Sequence, residues 1–301
     1  MGCLFCNSEK VIDSCYEDTL FNNKQFRYLK CAACNLVYLS PLPVADDFDK
    51  MYPTSYQGKL ITSATGCYDW LFKKVENAGK YARILDYGCG NGKFVAEAVA
   101  KGYQVTGIEY NEDLVQSLAQ AIPGASFLTI GDFTSQTDLY DVIFLGNVLE
   151  HLTNPSEMLA YFKERLSTGG LLILEGPLEE NFTIAGALRR WFFKRRKKRG
   201  QMAAHFPRHI FYADYNNQLD VLTRAGFEKI KYKVGEKTWP FPATLRECTS
   251  VKSVVFLLIG WFSIGLGWFI PHNGNLFFYI GRSISEPVIG HKVAEQAIVV
   301  K

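Results

Sequence analysis

Short apolar runs alternate with helically spaced apolar positions through the middle of the chain. Strand-like runs occupy 84–87, 104–109, 126–129, 141–145 and 171–175, and helical spacing occupies 93–101, 112–121 and 155–166. This alternation predicts an α/β fold with a doubly wound, mostly parallel sheet. A helix at 216–225 and strands at 227–234 and 275–280 bring the predicted sheet to seven strands.

The first predicted strand ends in a glycine-rich turn with the sequence ILDYGCGNGKF. Asp86 closes the apolar run, glycines follow at 88, 90 and 92, and a helical pattern begins directly after them. Glycines in such a turn let a ligand approach the backbone, whose amides point toward it. Dinucleotide sites use a similar turn. An acid just before the glycines would repel a phosphate, however, and favours a ligand that carries an amine or a sulfonium.

Acids also follow the next two predicted strands. Glu109 closes the second strand about 20 residues after the glycines, and Asp132 follows the third, next to Phe133. Ligands of open α/β sheets bind at the carboxyl ends of the strands, where these side chains should meet. A carboxylate there suits the two hydroxyls of a ribose. Asp132 suits an amino group such as that of adenine, and Phe133 offers an aromatic face.

Composition is that of an ordinary globular chain, with 48% hydrophobic and 21% charged residues among 301, but the cysteines are informative. Two Cys-x-x-Cys pairs, Cys3 with Cys6 and Cys31 with Cys34, are separated by 24 residues. Two such pairs are typical of a structural Zn²⁺ site, and they predict a zinc ribbon over residues 1–40. The alternatives are incidental cysteines or a redox pair.

Positive charge is concentrated in one segment. Arg189, Arg190 and the run Lys194–Arg199 contain eight cations and no acid, and subtracting eight from the formal net charge of +3 leaves −5. Next to the apolar residues of 184–193, this run predicts a basic amphipathic insertion over 177–204. A membrane surface, an anionic substrate such as a nucleotide sugar, and a solvated face are the three interpretations. We expect no nucleic-acid partner, because no reader module is visible.

A second unusual segment is Ser253–Ile270, with 18 uncharged residues. Its length is at the threshold for a transmembrane helix, about 27 Å as a single helix. A single crossing is disfavoured, because the strands on either side are predicted to share one sheet. A membrane hairpin bending near Gly260 or Gly265, a buried helix and a homodimer contact remain as alternatives.

The segment 41–80 begins with Pro41-Leu42-Pro43 and predicts a linker and a helical lid before the main domain. Its aromatic residues, which include Tyr52, Tyr56, Tyr68, Trp70 and Phe72, either pack the lid or line a ligand pocket. We therefore predict a ribbon at 1–40, the lid at 41–80 and a main domain at 81–301 with insertions at 177–204 and 238–274. No apolar leader opens the sequence. We expect a cytoplasmic protein, attached peripherally to the inner face of the membrane if the two insertions bind lipid.

Four motifs together carry a family resemblance. ILDYGCGNG, GIEYN, GDF and LGNVLEHLTNP resemble, in this order, motifs of class I S-adenosylmethionine-dependent methyltransferases of the "methyltransferase 23" type. The resemblance implies a Rossmann-like domain that binds S-adenosylmethionine, and related sugar C-methyltransferases carry a leading four-cysteine ribbon. It implies the following cofactor-binding residues: Asp86, Gly88, Cys89, Gly90, Glu109, Tyr110, Asp132, Phe133 and Asn147.

Methyl transfer from a sulfonium needs mainly alignment, and some acceptors also need a base. His151 after the fourth strand is the first candidate, and His205 and His209 in HFPRHIFYAD are two more. The alternative for His151 is a cap or a loop contact. We expect a saccharide or lipid-linked small-molecule acceptor at the membrane surface. A soluble nucleotide-sugar methyltransferase and a non-enzymatic assembly protein are the alternatives, and the acceptor atom stays open.

Overall fold

A computed structural model describes residues 2–53, 58–78, 83–237, 242–267, 269–270 and 272–283. Within them the chain divides into two compact units. The unit containing 2–42, 175–221 and 231–278 is called the ribbon unit, and the unit containing 43–174, 222–230 and 279–283 is called the sheet unit. The domain boundaries expected from the sequence stay a prediction.

The elements follow one another along the chain as strands and helices of ordinary length. The strands are β1 (Val11–Asp13), β2 (Thr19–Phe21), β3 (Lys24–Cys31), β4 (Val37–Ser40), β5 (Arg83–Tyr87), β6 (Gln104–Glu109), β7 (Ser126–Thr129), β8 (Tyr140–Gly146), β9 (Leu166–Pro177), β10 (Phe211–Tyr212), β11 (Phe227–Gly235) and β12 (Leu276–Ser283). The α-helices are α1 (Ala45–Met51), α2 (Asp69–Ala78), α3 (Lys93–Ala100), α4 (Glu112–Ala121), α5 (Ile130–Ser135), α6 (Pro155–Glu164), α7 (Ile184–Lys198), α8 (Tyr215–Arg224) and α9 (Val251–Gly267).

Seven strands form the main sheet, in the order β11-β12-β9-β8-β5-β6-β7. Strand β5 is an inner strand of this sheet and pairs in parallel with β6 on one side and β8 on the other. Strand β7 continues the parallel ladder beyond β6. The predicted fold class, a Rossmann-like doubly wound sheet of seven mostly parallel strands, is confirmed. The crevice at the carboxyl end of β5, where chain order reverses across the sheet, is the expected ligand position.

Strand β5 is buried along most of its length because helices cover both faces of a parallel sheet. Four of its five residues are buried. An aromatic stack covers one region of the core: the ring centroids of Phe94 and Phe144 are 4.1 Å apart, and Phe72 stacks on Phe94 at 5.3 Å. Tyr68 meets the same Phe94 ring edge-on. Tyr68 and Phe72 therefore pack the sheet unit, and Tyr56 lies outside the described residues.

The ribbon unit contains a smaller antiparallel sheet in the order β1-β3-β4-β10, with β2 paired to β3. Strands β3 and β4 lie on either side of the second cysteine pair, and Cys31 is the last residue of β3. Strand β10 comes from the segment after His209 and pairs Phe211 with Tyr38 of β4. The antiparallel sheet of the ribbon unit thus gains a strand from a segment that is more than 170 residues away in sequence.

The two unusual segments form helices of the ribbon unit. Residues 194–198 of the basic run lie in the second half of α7, and residues 253–267 of the apolar stretch lie in α9, which is unbroken at Gly260 and Gly265. The hairpin alternative is therefore wrong for this helix. In the part of the chain that the structure describes, every helix is too short or too polar to cross a membrane.

A buried glutamate fastens the chain before α2 to helix α3. Glu97 is 1% exposed, and its carboxylate accepts hydrogen bonds from the Thr65 hydroxyl at 2.6 Å and from the amides of Thr65, Cys67 and Tyr68 at 3.2, 2.9 and 3.1 Å. Burial acts to raise the pKa of Glu97, but these hydrogen bonds outweigh burial and lower it. Glu97 thus stabilises the loop in its ionised form.

We expect Glu97→Gln to lower the free energy of unfolding by about 2 kcal/mol at neutral pH, because charge-assisted hydrogen bonds to a buried carboxylate are lost. A carboxyl group with a lowered folded-state pKa stabilises above its unfolded-state pKa and loses this effect as pH falls through the folded-state pKa. The difference between wild type and variant should therefore shrink below about pH 4. Urea unfolding followed by circular dichroism measures it. The control is Glu76→Gln on α2, an exposed position, and equal losses in both variants would contradict the assignment.

Candidate active site

The turn after β5 has the backbone conformation that its glycines predict. Gly88, Gly90 and Gly92 have φ angles of 77°, 53° and 83°, in the left-handed region. The amides of Gly88 and Cys89 both donate to the Ile108 carbonyl at 2.9 Å, which fixes the turn against β6. A Cβ on Gly92 would lie 2.7 Å from a Leu118 side-chain carbon. The turn therefore needs glycine for both conformation and space.

Two buried carboxylates flank this turn. Asp86 and Glu109 are each 2% exposed, at the ends of β5 and β6. The amide of Gly90 donates to Oε2 of Glu109 at 2.9 Å, and the amide of Tyr110 donates to Oε1 at 2.9 Å. A carboxylate oxygen has two lone pairs and can accept from two donors. The crevice is thus anionic, which fits a cationic group and a ribose diol and disfavours a phosphate.

Cys89 is a buried turn residue. Burial raises the pKa of the Cys89 thiol well above its ordinary value, and the charges of Asp86 and Glu109 act in the same direction. The thiol is therefore protonated at neutral pH, and thiols in that form are poor nucleophiles. Cys89 is therefore a structural residue of the turn and not a nucleophile.

The end of β7 holds Asp132 and Phe133 in different environments. Asp132 is exposed in the first turn of α5, where the Thr129 hydroxyl donates to its carboxylate at 2.7 Å and accepts from its amide at 3.1 Å. Phe133 is 1% exposed, with its ring 5.9 Å from that of Tyr87 and 5.6 Å from that of Tyr161. Asp132 is accessible to a ligand, whereas Phe133 lies in an aromatic cluster. Their contacts with adenine stay predictions.

The end of β8 brings His151 next to a tyrosine. Glu150 and His151 lie in a short 3₁₀ helix, Leu149–His151, and both are buried. The hydroxyl of Tyr52 is 2.7 Å from Nδ1 of His151, and Oε1 of Glu150 is 3.8 Å from Nε2. The preceding Asn147 is exposed, with a φ of 56°. The imidazole is thus oriented by Tyr52, a partner that the sequence motifs did not indicate.

Helix α1 and the residue after it reach two strand ends of the sheet unit. The hydroxyl of Tyr110, after β6, donates to Oδ1 of Asp49 in α1 at 2.5 Å. Tyr52, directly after α1, contacts His151 beyond β8. The segment 45–52 therefore contacts residues that follow β6 and β8 at the carboxyl edge of the sheet. The sequence predicted a helical lid here, but gave no signal for the Asp49–Tyr110 contact.

The other two candidate histidines belong to the ribbon unit. His205 is exposed, with Nδ1 2.9 Å from the Phe206 carbonyl. His209 is half-buried, with Nδ1 2.6 Å from Oε1 of Glu179, and its carbonyl accepts from the Tyr28 hydroxyl at 2.8 Å. These contacts show a local role for each histidine. Their contact with an acceptor stays a prediction.

The four predicted metal ligands meet in the ribbon unit. The Sγ atoms of Cys3, Cys6, Cys31 and Cys34 lie within 4.8 Å of one another, with the closest pairs at 3.5 and 3.6 Å. Zinc–sulfur bonds of about 2.3 Å give a tetrahedral sulfur–sulfur edge of about 3.8 Å, so the cluster fits Zn²⁺. A hydrogen bond with Cys34 lowers the pKa of Cys3 to about 5, which favours the thiolate that a metal requires at Cys3, and the same hydrogen bond raises the pKa of Cys34.

Both cysteine pairs have the same local turn. Asn7 and Asn35 follow the second cysteine of each pair, with φ angles of 57° and 64°, and their amides donate to the carbonyls of Cys3 and Cys31. Asparagine tolerates the left-handed region better than most residues. The repeated Cys-x-x-Cys-Asn sequence indicates these turns, and a prediction from the spacing of the cysteines alone misses it.

Comparisons with known proteins agree with this fold. Residues 62–232, more than half of the 301, match the family described as methyltransferase domain. A ubiquinone biosynthesis O-methyltransferase from Pseudomonas savastanoi pv. phaseolicola is 32% identical over 131 residues, which is 40% of this chain and 55% of that protein. A trans-aconitate 2-methyltransferase from Deinococcus radiodurans is 28% identical over 100 residues, covering 32% of this chain and 38% of that protein.

A solved structure shows the same fold at low sequence identity. The cyclase SpnF aligns over 82% of this chain and 97% of its own, with a TM-score of 0.51 and 14% identity. The chain spans about half the length of the Pseudomonas relative. The chain belongs to the methyltransferase domain family, and its sheet unit has the Rossmann-like fold of S-adenosylmethionine-dependent methyltransferases.

Proposed function

We propose that the sheet unit binds S-adenosylmethionine and transfers its methyl group to a small-molecule acceptor. The observation that carries this proposal is the pair of buried carboxylates, Asp86 and Glu109, on either side of the left-handed glycine turn. A sulfonium is attracted by such a crevice, whereas the pyrophosphate of a dinucleotide would be repelled by its two negative charges. The family match supports the same conclusion.

The chain's own residues would hold the cofactor and orient the acceptor. Glu109 would accept from the ribose hydroxyls, Asp86 and the turn at Gly88 and Gly90 would face the methionine portion, and Asp132 the adenine amino group. The bound cofactor supplies an activated methyl group, so alignment provides much of the rate. His151 is the proposed base, because Tyr52 fixes its ring at the edge of the sheet.

The proposed acceptor is a lipid-linked or saccharide molecule. The names of the Pseudomonas and Deinococcus relatives refer to ubiquinone biosynthesis and to trans-aconitate, and both names therefore point to small-molecule acceptors. A lipid-linked acceptor would place the reaction at the inner face of the membrane, and a nucleotide sugar would leave it in the cytoplasm. The four-cysteine site is proposed to hold a structural Zn²⁺, since a site with four thiolate ligands leaves no position open for a substrate.

Calorimetry and labelling test this function. We expect the zinc-loaded protein to bind S-adenosylmethionine and S-adenosylhomocysteine, and not NAD⁺. We also expect label from methyl-labelled cofactor to enter a small molecule when membrane and soluble extracts are supplied separately, and the labelled fraction identifies the acceptor class. Binding of NAD⁺ in preference to S-adenosylmethionine, or no binding by folded protein, would contradict the proposal.

A further inference from the structure

Helix α7 has two distinct faces. At about 100° per residue, six side chains fall within an arc of roughly 160°. They are Trp191, Phe192, Lys194, Arg195, Lys198 and, directly after the last helical residue, Arg199, and all are exposed. Trp191 and Phe192 are 51% and 44% exposed, and the guanidinium of Arg195 lies over the Trp191 ring at 5.6 Å. This arc, called the outer face of α7, combines aromatic rings with four cations.

The opposite face of α7 is bound to the ribbon unit. Arg196 pairs with Glu17, and Lys197 pairs with Asp13 at 2.6 Å and with Asp18 at 3.7 Å. Arg190 donates to the carbonyl oxygen of Glu179 at 2.9 Å. These cations have a structural role within the unit. The cations of the outer face form no ion pair with a described residue. The basic run thus contributes paired cations to one face of the helix and other cations to the outer face.

Helix α9 turns an apolar stripe outward. Val251, Val255, Leu258 and Phe262 are spaced i, i+4, i+7 and i+11 and are 84%, 49%, 54% and 62% exposed. On a helix these positions lie in one row. Trp261, beside the row, is 47% exposed. Single exposed apolar residues are common, but an ordered row of them marks an interaction surface.

Helices α7 and α9 are neighbours, and the contacts between them show their relative direction. The amides of Ile184 and Ala185, at the start of α7, donate to the Ser263 hydroxyl of α9 at 3.2 and 3.5 Å. Further along α7, Phe192 lines the same cavity as Phe256 of α9. The helices are therefore antiparallel, and the cationic end of α7 lies beside the beginning of α9.

The cavity between them has a volume of about 350 Å³. Its lining combines three phenylalanines, Phe192, Phe193 and Phe256, with Arg189, His205, two alanines and the ion pair of Arg196 with Glu17. The buried Nε of Arg189 has no hydrogen-bond partner among the described residues. The volume is within the range of small-ligand sites.

We propose that the outer face of α7 and the apolar stripe of α9 form a docking surface for a bilayer containing anionic phospholipid. The cations face the headgroups, and the stripe with Trp191 and Trp261 enters the interfacial region. An apolar stripe beside unpaired cations fits this partner by charge and by polarity. A second copy bound symmetrically would bring the two sets of cations together, and a nucleic acid would leave the apolar stripe in water.

Vesicle co-sedimentation of the full chain tests the proposal. We expect binding to phosphatidylcholine vesicles containing about one third phosphatidylglycerol, little binding to phosphatidylcholine alone, and release at high salt. Each cation near an anionic surface contributes about fivefold to the partition coefficient. Replacing Lys194, Arg195, Lys198 and Arg199 by Gln should therefore lower it roughly a hundredfold or more. The matched control replaces four exposed lysines elsewhere, Lys10, Lys73, Lys229 and Lys233, by Gln.

The apolar half of the surface has its own pair of variants. Val255, Leu258 and Phe262 replaced together by Ser should lower binding at least tenfold, since about three apolar side chains no longer leave water. The control replaces Ile12, Leu20 and Ile230, which are 54%, 64% and 44% exposed, by Ser. Controls should bind like wild type. We also expect a blue shift of tryptophan emission on anionic vesicles, which is absent when Trp191 and Trp261 are replaced by Phe.

Three outcomes would overturn the docking surface. They are no vesicle binding by folded wild type, equal losses in test and control variants, or a dimer that the Val255, Leu258 and Phe262 variant converts to monomer without any lipid binding. The proposal goes beyond the proposed methyl transfer and does not depend on it. Calorimetry with S-adenosylmethionine on the same preparations separates a failure of cofactor binding from a failure of docking.

Discussion

Replacing Cys31 by Ser is expected to remove bound zinc and to unfold the ribbon over residues 2–42. The chain there is short, so its apolar core is small and metal ligation supplies much of its stability. Structural zinc contributes on the order of 10 kcal/mol in small metal-dependent folds. Cys31 is fully buried and its amide is bonded within the second turn, so a lost ligand is not replaced by water. Metal content by atomic spectroscopy and protease sensitivity between β1 and β3 measure the effect.

The matched control for this experiment is Cys15→Ser. Cys15 lies between the two pairs, is half-buried and is not part of the four-thiol cluster. It should keep one zinc per chain and wild-type protease resistance. A Cys31→Ser protein that retains its metal and its melting temperature would show that the cluster is not the structural site proposed for it.

Replacing Glu109 by Ala is expected to weaken binding of S-adenosylmethionine at least a hundredfold. The proposed ribose contacts are charge-assisted hydrogen bonds, and two of them contribute about 3 kcal/mol together. The same carboxylate holds the amides of Gly90 and Tyr110, so its loss also loosens the glycine turn. Glu109→Gln keeps one acceptor oxygen and should fall between wild type and Glu109→Ala. Isothermal titration with S-adenosylmethionine and S-adenosylhomocysteine should show parallel losses, because both ligands carry the ribose.

Glu112→Gln provides the control for charge and position. Glu112 begins α4 three residues after Glu109 and is exposed, so its variant should bind the cofactor like wild type. A Glu109→Ala protein with a circular dichroism spectrum like wild type and a dissociation constant within a factor of about three would exclude the ribose role.

Local patterns were sufficient for most of the fold. The apolar run ending at Asp86 and the helical spacing of 93–101 are properties of neighbouring residues, and the structure places β5 and α3 there within a residue or two. The glycine turn follows from backbone sterics alone. The four cysteines were also predictable, because tetrahedral thiolate ligation restricts which cysteine spacings form a site.

Contacts between distant side chains were not predictable in this way. Glu97 binds the amides of a loop about 30 residues earlier, and Tyr52 reaches His151 across 99 residues. Nothing in the local sequence pairs these groups, because each partner would satisfy its polar atoms equally well in water. Only the packed sheet excludes that water and makes the pairing necessary.

The basic run and the apolar stretch show most clearly what the sequence determines and what only the tertiary structure decides. The sequence by itself determined that a basic run and an apolar stretch are present, because charge and hydropathy are properties of the residues and can be counted without a structure. It did not determine which cations pair with Glu17, Asp13 and Asp18 and which remain on the outer face. It also did not determine that α9 would turn an apolar row outward, although helical spacing contains that row. Burial depends on which neighbour covers a helix, and only the tertiary structure decides that.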